Sequence, residues 1–451
     1  MYSTINRSIA VLALIFVLSV SHAQNEEYTF TIDECMQYAM ANNQDVLNAS
    51  LEIGKQEKFV KETLAQGLPQ VEAFIDLRNN FRVPTSFIPA VFFDENAPAD
   101  EFVPVQFSAQ YNGNASVTLK QMVFYGSYFV GVQAAKTFTD LSTKEHVVTK
   151  IDIAEAVTKG FYSVLINEAA YDLVAKNYNR LDSLLRETKI MYETGFAEKI
   201  DVNRIQVQFN NIQNSKREAR NIIEINYKML KYQMGMPIDY QLNLVGELSD
   251  MGDQINNMEY SNFQYNDRVE YSILQTRESL AQYDLKNTNV QYLPRIDFYL
   301  TGGANAGTGS YGKLFGTDNW HGLGFFGLNM TIPIFDGLYK SAKIQQTKIT
   351  LSQIQNSFNQ MKNSIDLQIQ TAEIKLDNSI RNLRQQELNM DLSKEVYDVT
   401  KLKYQEGIGS NIELIEADGT YKEAQNYYFN AMYEVLISKV DLDKARGVLY
   451  Q

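Results

Sequence analysis

Residues 326–337 read Phe326-Gly327-Leu328-Asn329-Met330-Thr331-Ile332-Pro333-Ile334-Phe335-Asp336-Gly337. Up to Ile332 apolar side chains alternate with small or polar ones. That period of two predicts a strand with one apolar face. Pro333 and the Phe335-Asp336-Gly337 turn close it, and no proline follows to the end of the chain. Proline inside a helix costs roughly 3 kcal/mol. The eight prolines (Pro69, Pro84, Pro89, Pro98, Pro104, Pro237, Pro294 and Pro333) therefore leave two long stretches open to helix, 105–236 and 334–451.

Within those stretches the apolar period is helical. Val164, Tyr171, Val174, Tyr178, Leu181, Leu185, Thr188 and Tyr192 mostly follow steps of three and four, as do Leu414, Ala417, Tyr421, Ala424, Tyr428, Ala431, Val435 and Leu442. This is the seam of helices packed nearly side by side, as in a coiled coil. An ordinary helix bundle has the same seam, but not the same length. Continuous helices over 127–192 and 338–404 would each run roughly 100 Å. Segments 32–65, 200–234, 267–292 and 412–446 read as partners of about half that length, two laid end to end along each long helix.

Three further segments share the alternation of 326–332. Val71, Ala73, Ile75 and Leu77 alternate with Glu72, Phe74, Asp76 and Arg78. Val117 and Leu119 lie between Ser116, Thr118 and Lys120. Ile296, Phe298 and Leu300 lie between Arg295, Asp297 and Tyr299. Each is about 10 residues long, the length and pattern of a membrane-spanning barrel strand, although a half-buried soluble strand alternates too. Residues 81–113, with four prolines and four acids, and the Gly-rich 302–324 read as exposed loops between paired strands.

The chain repeats itself. Leu68-Pro69 and Leu293-Pro294 each open a strand. Phe124-Tyr125-Gly126 and Phe335-Asp336-Gly337 lie 211 residues apart, and Tyr192-Glu193-Thr194-Gly195 and Tyr404-Gln405-Glu406-Gly407 lie 212 apart. One plan used twice is expected: a first repeat over 24–236, a linker over 237–265 and a second repeat over 266–451. Four strands cannot close a barrel, which needs about eight. Open edges in lipid would leave backbone groups unpaired at several kcal/mol each. Three copies supply 12 strands and a closed ring.

At the start, Arg7, the apolar run Ile9–Leu18 and Ser21-His22-Ala23 predict a cleavable secretory signal over 1–23. No Cys stands at that cut, so no lipid anchor is expected there. The one cysteine, Cys35, predicts a small buried apolar residue rather than a disulfide. A formal net charge of −13 argues against nucleic acid as a partner. After residue 23 only His146 and His321 remain, in different regions, so neither a His-based triad nor a dedicated metal site is expected. Gly307-Thr308-Gly309-Ser310-Tyr311-Gly312-Lys313-Leu314 nearly spells a phosphate loop. It ends in Leu where a metal-binding hydroxyl belongs, and no helix pattern follows, so no cofactor is expected.

These features resemble the TolC-like outer-membrane efflux proteins over nearly the whole mature chain. The opening Thr29-Phe30-Thr31-Ile32-Asp33-Glu34-Cys35-Met36-Gln37-Tyr38-Ala39, the two Leu-Pro strand starts, Pro333-Ile334-Phe335-Asp336-Gly337 and the two Tyr-x-x-Gly turns carry the likeness. The resemblance implies a mainly α fold with a small β part, built from two internal repeats. It implies a trimeric 12-stranded β-barrel in outer-membrane lipid, four strands per chain, continued by a long periplasmic α-helical barrel. It implies a passive exit duct, not an enzyme, serving an efflux or type I secretion system. The implied partners are a periplasmic adaptor protein and an inner-membrane RND, ABC or MFS transporter.

The resemblance also implies site residues. The closed tip maps to the hairpin turns at Gly195 and Gly407, where an adaptor would dock; each glycine also suits a helix C-terminus needing positive φ. Glu413 and Glu416, three apart on one helix face, match acidic positions that narrow the tunnel. Three copies would place six carboxylates around the axis, favouring cations. Acids near a helix start are also favoured for their own sake. Asp201, the repeat equivalent of Glu413, and Tyr404 match residues that bond between neighbouring hairpins and hold the entrance shut. Gly409 stands where the family's best-known member has an arginine, so the lock is expected to be made differently. The competing reading is a trimeric coiled-coil scaffold or adhesin without a conduit, which leaves the four amphipathic strands unexplained.

Overall fold

The computed structural model describes residues 27–246 and 263–450. The expected signal segment 1–23, and 247–262 of the expected 237–265 linker, lie outside the described residues. In chain order the elements are β1 (Glu27–Phe30), α1 (Ile32–Asn42), α2 (Gln44–Ala65), β2 (Gln70–Asn79), β3 (Ser86–Pro89), β4 (Phe102–Val105), β5 (Tyr111–Phe124), α3 (Gly126–Glu193), α4 (Lys199–Met234), β6 (Gln241–Leu244), α5 (Val269–Val290), β7 (Arg295–Thr308), β8 (Trp320–Thr331), α6 (Tyr339–Gln405) and α7 (Asn411–Arg446). The two long helices are uninterrupted over 68 and 67 residues. The described residues fall into two compact units, one built from 27–52, 143–274 and 357–450, the other from Ile53–Ser142 and Gln275–Asn356.

One expected helix, 32–65, is two. Thr31 and Glu34 start α1 with a reciprocal cap: the Thr31 backbone N–H donates to the Glu34 carboxylate at 2.7 Å, and Glu34 N–H donates to Thr31 Oγ1 at 3.4 Å. Asn43 then breaks the run with extended backbone. Its Nδ2 donates to the Gln233 carbonyl at 2.8 Å, while its Oδ1 accepts from the amides of Asp45 and Val46 and so starts α2. Gly235, at φ 71°, passes so close that a Cβ there would lie 2.6 Å from the Asn42 carbonyl oxygen. The break is thus set by a helix end some 190 residues away.

The first unit packs around Cys35, Ala39, Val157, Phe161, Val164, Leu230 and Met234, with Leu242 of β6 in the same cluster. Cys35 is fully buried, and the surrounding apolar atoms push its thiol up to about 12. Sequence periodicity does not reveal β1 and β6, which pair in parallel over four residues. Nearby, Glu155 accepts from Lys159 and from Lys444, each at 2.6 Å, tying α3 to α7. Burial raises the Glu155 carboxyl, but the two ammonium groups outweigh it and hold it below the usual range. A carboxylate lowered in the folded state contributes stability above its unfolded value of about 4.3 and loses it as pH falls through the folded value. Acidification from pH 7 to about 3.5 is therefore expected to lower the melting temperature less in Glu155→Gln than in the wild type; equal drops would refute this.

The second unit carries one antiparallel sheet in the order β2-β5-β7-β8. Residues opposite one another across an antiparallel pair share a face. The register places Val71, Ala73 and Ile75 against Leu119, Val117 and Ala115, and Leu119 against Leu300 and then Phe326. Leu328 and Met330 continue this face opposite Phe298 and Ile296. The other face is mixed: Glu72, Ser116, Thr118, Thr301 and Asn305 share it with Phe74, Tyr299 and Phe325, and on it the Thr118 and Thr301 hydroxyls lie 2.9 Å apart and Lys120 bonds Glu72 at 3.0 Å. The apolar face is open: Ile75 is 73% exposed and Phe326 75%. Among the described residues, backbone pairing stops at β2 on one side and β8 on the other.

The loops are more ordered than their composition suggests. Glycines predict a loop over 302–324, yet β7 continues to Thr308 and β8 begins at Trp320. At Gly303 the strands approach so closely that a Cβ would sit 2.3 Å from the Ala115 carbonyl oxygen, so glycine here serves the ladder instead of breaking it. Within 81–113, β3 and β4 pair as a separate antiparallel hairpin.

Candidate functional site

The two helical hairpins turn by one plan. In the first, Gly195 takes φ 80° and the amides of Phe196 and Ala197 donate to the Met191 carbonyl at 2.7 and 3.2 Å. In the second, Gly407 takes φ 76° and the amides of Ile408 and Gly409 donate to the Lys403 carbonyl, both at 3.0 Å. Left-handed backbone at these points favours glycine over any side chain bearing Cβ. Phe196 and Ile408, the residues just past each glycine, are exposed.

The following helices are capped alike. Glu198 precedes α4 and its amide donates to Asp201 Oδ2 at 3.2 Å. Ser410 precedes α7 and its Oγ accepts from the Glu413 amide at 3.2 Å, while its own amide donates to Glu413 Oε2 at 3.5 Å. Asp201 and Glu413 thus each close a capping box.

Glu413 and Glu416 line one groove of about 490 Å³ together with Lys403, Leu392, Val396 and Thr400 of α6. Both carboxylates are exposed on it. Tyr404 points elsewhere, into the apolar cluster of Leu181, Leu184, Leu185, Ile205 and Leu414. Its hydroxyl accepts from Asn411 Nδ2 at 3.4 Å. Asp201 pairs instead with Arg204 at 3.5 Å. Among the described residues, no bond joins Tyr404 of the second hairpin to Asp201 of the first within one chain. At Gly409 a Cβ would come within 3.0 Å of the Tyr404 amide nitrogen, so the second turn holds no side chain there without shifting.

A buried polar stripe on α7 escapes the periodicity reading. Asn411, Asp418 and Gln425 recur every seven residues beside the apolar seam, and all three are buried. Gln425 accepts from Asn177 of α3 at 2.8 Å. Asp418 receives Arg180 of α3 at 2.6 Å and Lys422 at 2.5 Å. The Arg180 guanidinium sits 4.3 Å over the Tyr397 ring of α6 and 5.2 Å over Tyr421. Burial pushes the Tyr397 phenol up to about 12, so it stays neutral. One carboxylate therefore links both hairpins. The heptad of polar residues within an apolar seam is the sequence signal that could have marked it.

Among the described residues no helix is long and apolar enough to cross a membrane, and no cluster of three or more His, Cys, Asp or Glu could hold a metal. A four-stranded sheet that is apolar on one open face, more polar on the other and unpaired at both edges among the described residues has the pattern of membrane-barrel strands, and four strands alone do not close a barrel. Residues 272–448 match the family described as outer membrane efflux protein. The chain is 19% identical to outer membrane protein TolC of Vibrio cholerae over 74% of this chain and 77% of that protein. It is 21% identical to the alkaline protease secretion protein AprF of Pseudomonas aeruginosa, over 57% of this chain and 53% of that one. Its fold matches the Campylobacter jejuni CmeC outer membrane channel with a TM-score of 0.71 at 14% identity, covering 93% of this chain and 86% of that one. The chain is thus similar to TolC-like outer membrane efflux proteins, by family match over residues 272–448 and by fold over most of its length.

Proposed function

We infer that this chain forms one third of an outer-membrane exit duct that passively conducts cargo from the periplasm to the exterior. The observation that carries this reading is the sheet. Its apolar face runs unbroken across all four strands, and its edges at β2 and β8 are open. Lipid suits the first property, and only further strands satisfy the second. Three copies give 12 strands with polar faces toward a lumen. In this reading 1–23 is the export signal, 24–236 and 266–451 are the two repeats, and 237–265 belongs to a belt around the helical barrel. Conduction needs no catalytic group or cofactor.

The Gly195 and Gly407 turns form the periplasmic tip, where an adaptor protein docks and brings cargo from an inner-membrane transporter of RND, ABC or MFS type. Asp201 and Tyr404 hold neighbouring hairpins together near that tip. Glu413 and Glu416 form the constriction, six carboxylates in the trimer, which favours cations. Glutamine at Glu413 preserves the capping box, so Glu413→Gln with Glu416→Gln removes charge without removing the cap. That double variant is expected to lower the cation-to-anion permeability ratio in reconstituted membranes; an unchanged ratio would remove the two residues from the constriction. The duct itself is tested by liposome swelling. Liposomes carrying the protein should swell in small sugars and progressively less in larger ones, whereas a scaffold without a conduit gives no swelling at any size.

A further inference from the structure

The segment joining β2 to β5 exposes six phenylalanines: Phe81, Phe87, Phe92, Phe93, Phe102 and Phe107. The first is 95% exposed and the least exposed is still 53%. Their combined open surface is on the order of 800 Å². The segment is not a loose loop. Ser86–Pro89 pairs with Phe102–Val105, and the Ala90 amide donates to the Glu101 carbonyl at 2.8 Å. A folded hairpin therefore presents aromatic side chains that none of the described residues covers.

Strand order says what lies beside it. β2 is one edge of the sheet and β8 the other, so a ring closes only if β2 of one copy meets β8 of the next. The two edges of one sheet are three strand spacings apart, about 14 Å. In an antiparallel seam the loop end of β2, at Asn79, lies on the same side of the ring as the loop end of β8 of the adjacent copy, at Trp320. The hairpin then stands over the β7–β8 connection of that neighbour. This connection exposes Tyr311, Phe315 and Lys313. The hairpin segment in turn exposes Asp94, Glu95, Asp100 and Glu101 around its phenylalanines. Aromatic faces aromatic, and Lys313 is the one cation the connection offers to those acids, beside its own Asp318.

Resting on the trimeric reading, we propose that the β3–β4 hairpin of each copy closes over the β7–β8 connection of the next, forming an aromatic collar that fastens the ring at its loop end. Full-length protein in detergent tests this directly. Phe81→Cys with Asp318→Cys places two thiols across the seam. Cys35, the only native cysteine, is fully buried and does not interfere. The strands the two positions flank, β2 and β8, are three spacings apart within one chain, about 14 Å, against the Cα separation of about 4.4–6.8 Å that a disulfide spans. Oxidation should give chain-to-chain dimers and trimers on non-reducing denaturing gels, collapsing to monomer on reduction. Separately, Phe87→Ser with Phe92→Ser and Phe93→Ser should lower the temperature at which the trimer dissociates. A trimer by native mass spectrometry with neither crosslink nor lowered dissociation temperature overturns the collar while leaving the duct intact. That result would fit a hairpin that contacts lipid headgroups instead. A protein that is monomeric in every membrane-like medium overturns the trimeric reading itself.

Discussion

Asp418→Ala is expected to destabilise the helical hairpins by about 3 kcal/mol, because it leaves two partly buried cations without their counter-charge. The Asp418 side chain is only 4% exposed and lies within 2.6 Å of both Arg180 and Lys422. Arg180 cannot swing to solvent without leaving the Tyr397 and Tyr421 rings on which it is stacked. Asp418→Asn keeps the shape and one acceptor but not the charge, so it should fall between alanine and wild type. Arg186 and Asp182 supply the control. They form a pair on the open surface of α3, and removing it should cost under about 1 kcal/mol. Denaturant unfolding followed by near-ultraviolet circular dichroism measures all three. An Asp418→Ala midpoint equal to that of the surface control would show that the stripe does not join the hairpins. Because Asp418 links α3 and α7 while Arg180 touches α6, its loss should also let the two hairpins part more readily, raising the open probability of the duct.

Gly303→Val is expected to abolish assembly, whereas Gly302→Val beside it should be tolerated. At Gly303 an added Cβ would sit 2.3 Å from the Ala115 carbonyl oxygen and 2.7 Å from Ser116 Cα, both on the neighbouring strand backbone. Backbone cannot move aside as a flexible side chain can, so β5 and β7 must separate. In lipid each ladder bond lost costs several kcal/mol. At Gly302 nothing lies within 4 Å, and the position belongs to the apolar face opposite Val117. A valine there adds surface that lipid accepts. The yield of heat-resistant oligomer extracted from membranes distinguishes the two. Equal yields would mean that β5 and β7 do not pair in this register.

The strands and long helices were legible because each answers to a local rule. Lipid on one side and water on the other impose a period of two on Val71–Leu77 and Phe326–Ile332, and no distant residue is needed to read it. The hairpin turns were legible for the same reason, since Gly195 and Gly407 supply the left-handed backbone their geometry requires. What escaped depends on partners far along the chain. The break at Asn43 is made by Gln233 and Gly235. The polar stripe of α7 is satisfied by Asn177 and Arg180, roughly 240 residues before it. Four-residue strands such as β1 and β6 carry too little pattern to stand out. For the candidate site, sequence placed Glu413 and Glu416 on one face, and the structure sets both on one groove. It did not show that Glu413 also caps its helix, nor that Tyr404 is turned into the core.

Single-channel recording in planar lipid bilayers tests the central claim most directly. Purified protein added to one side should insert and give discrete current steps of uniform size, each the opening of one closed ring. Folded protein that inserts no steps, or gives only irregular leakage of the bilayer, would contradict the account of this chain as part of an exit duct.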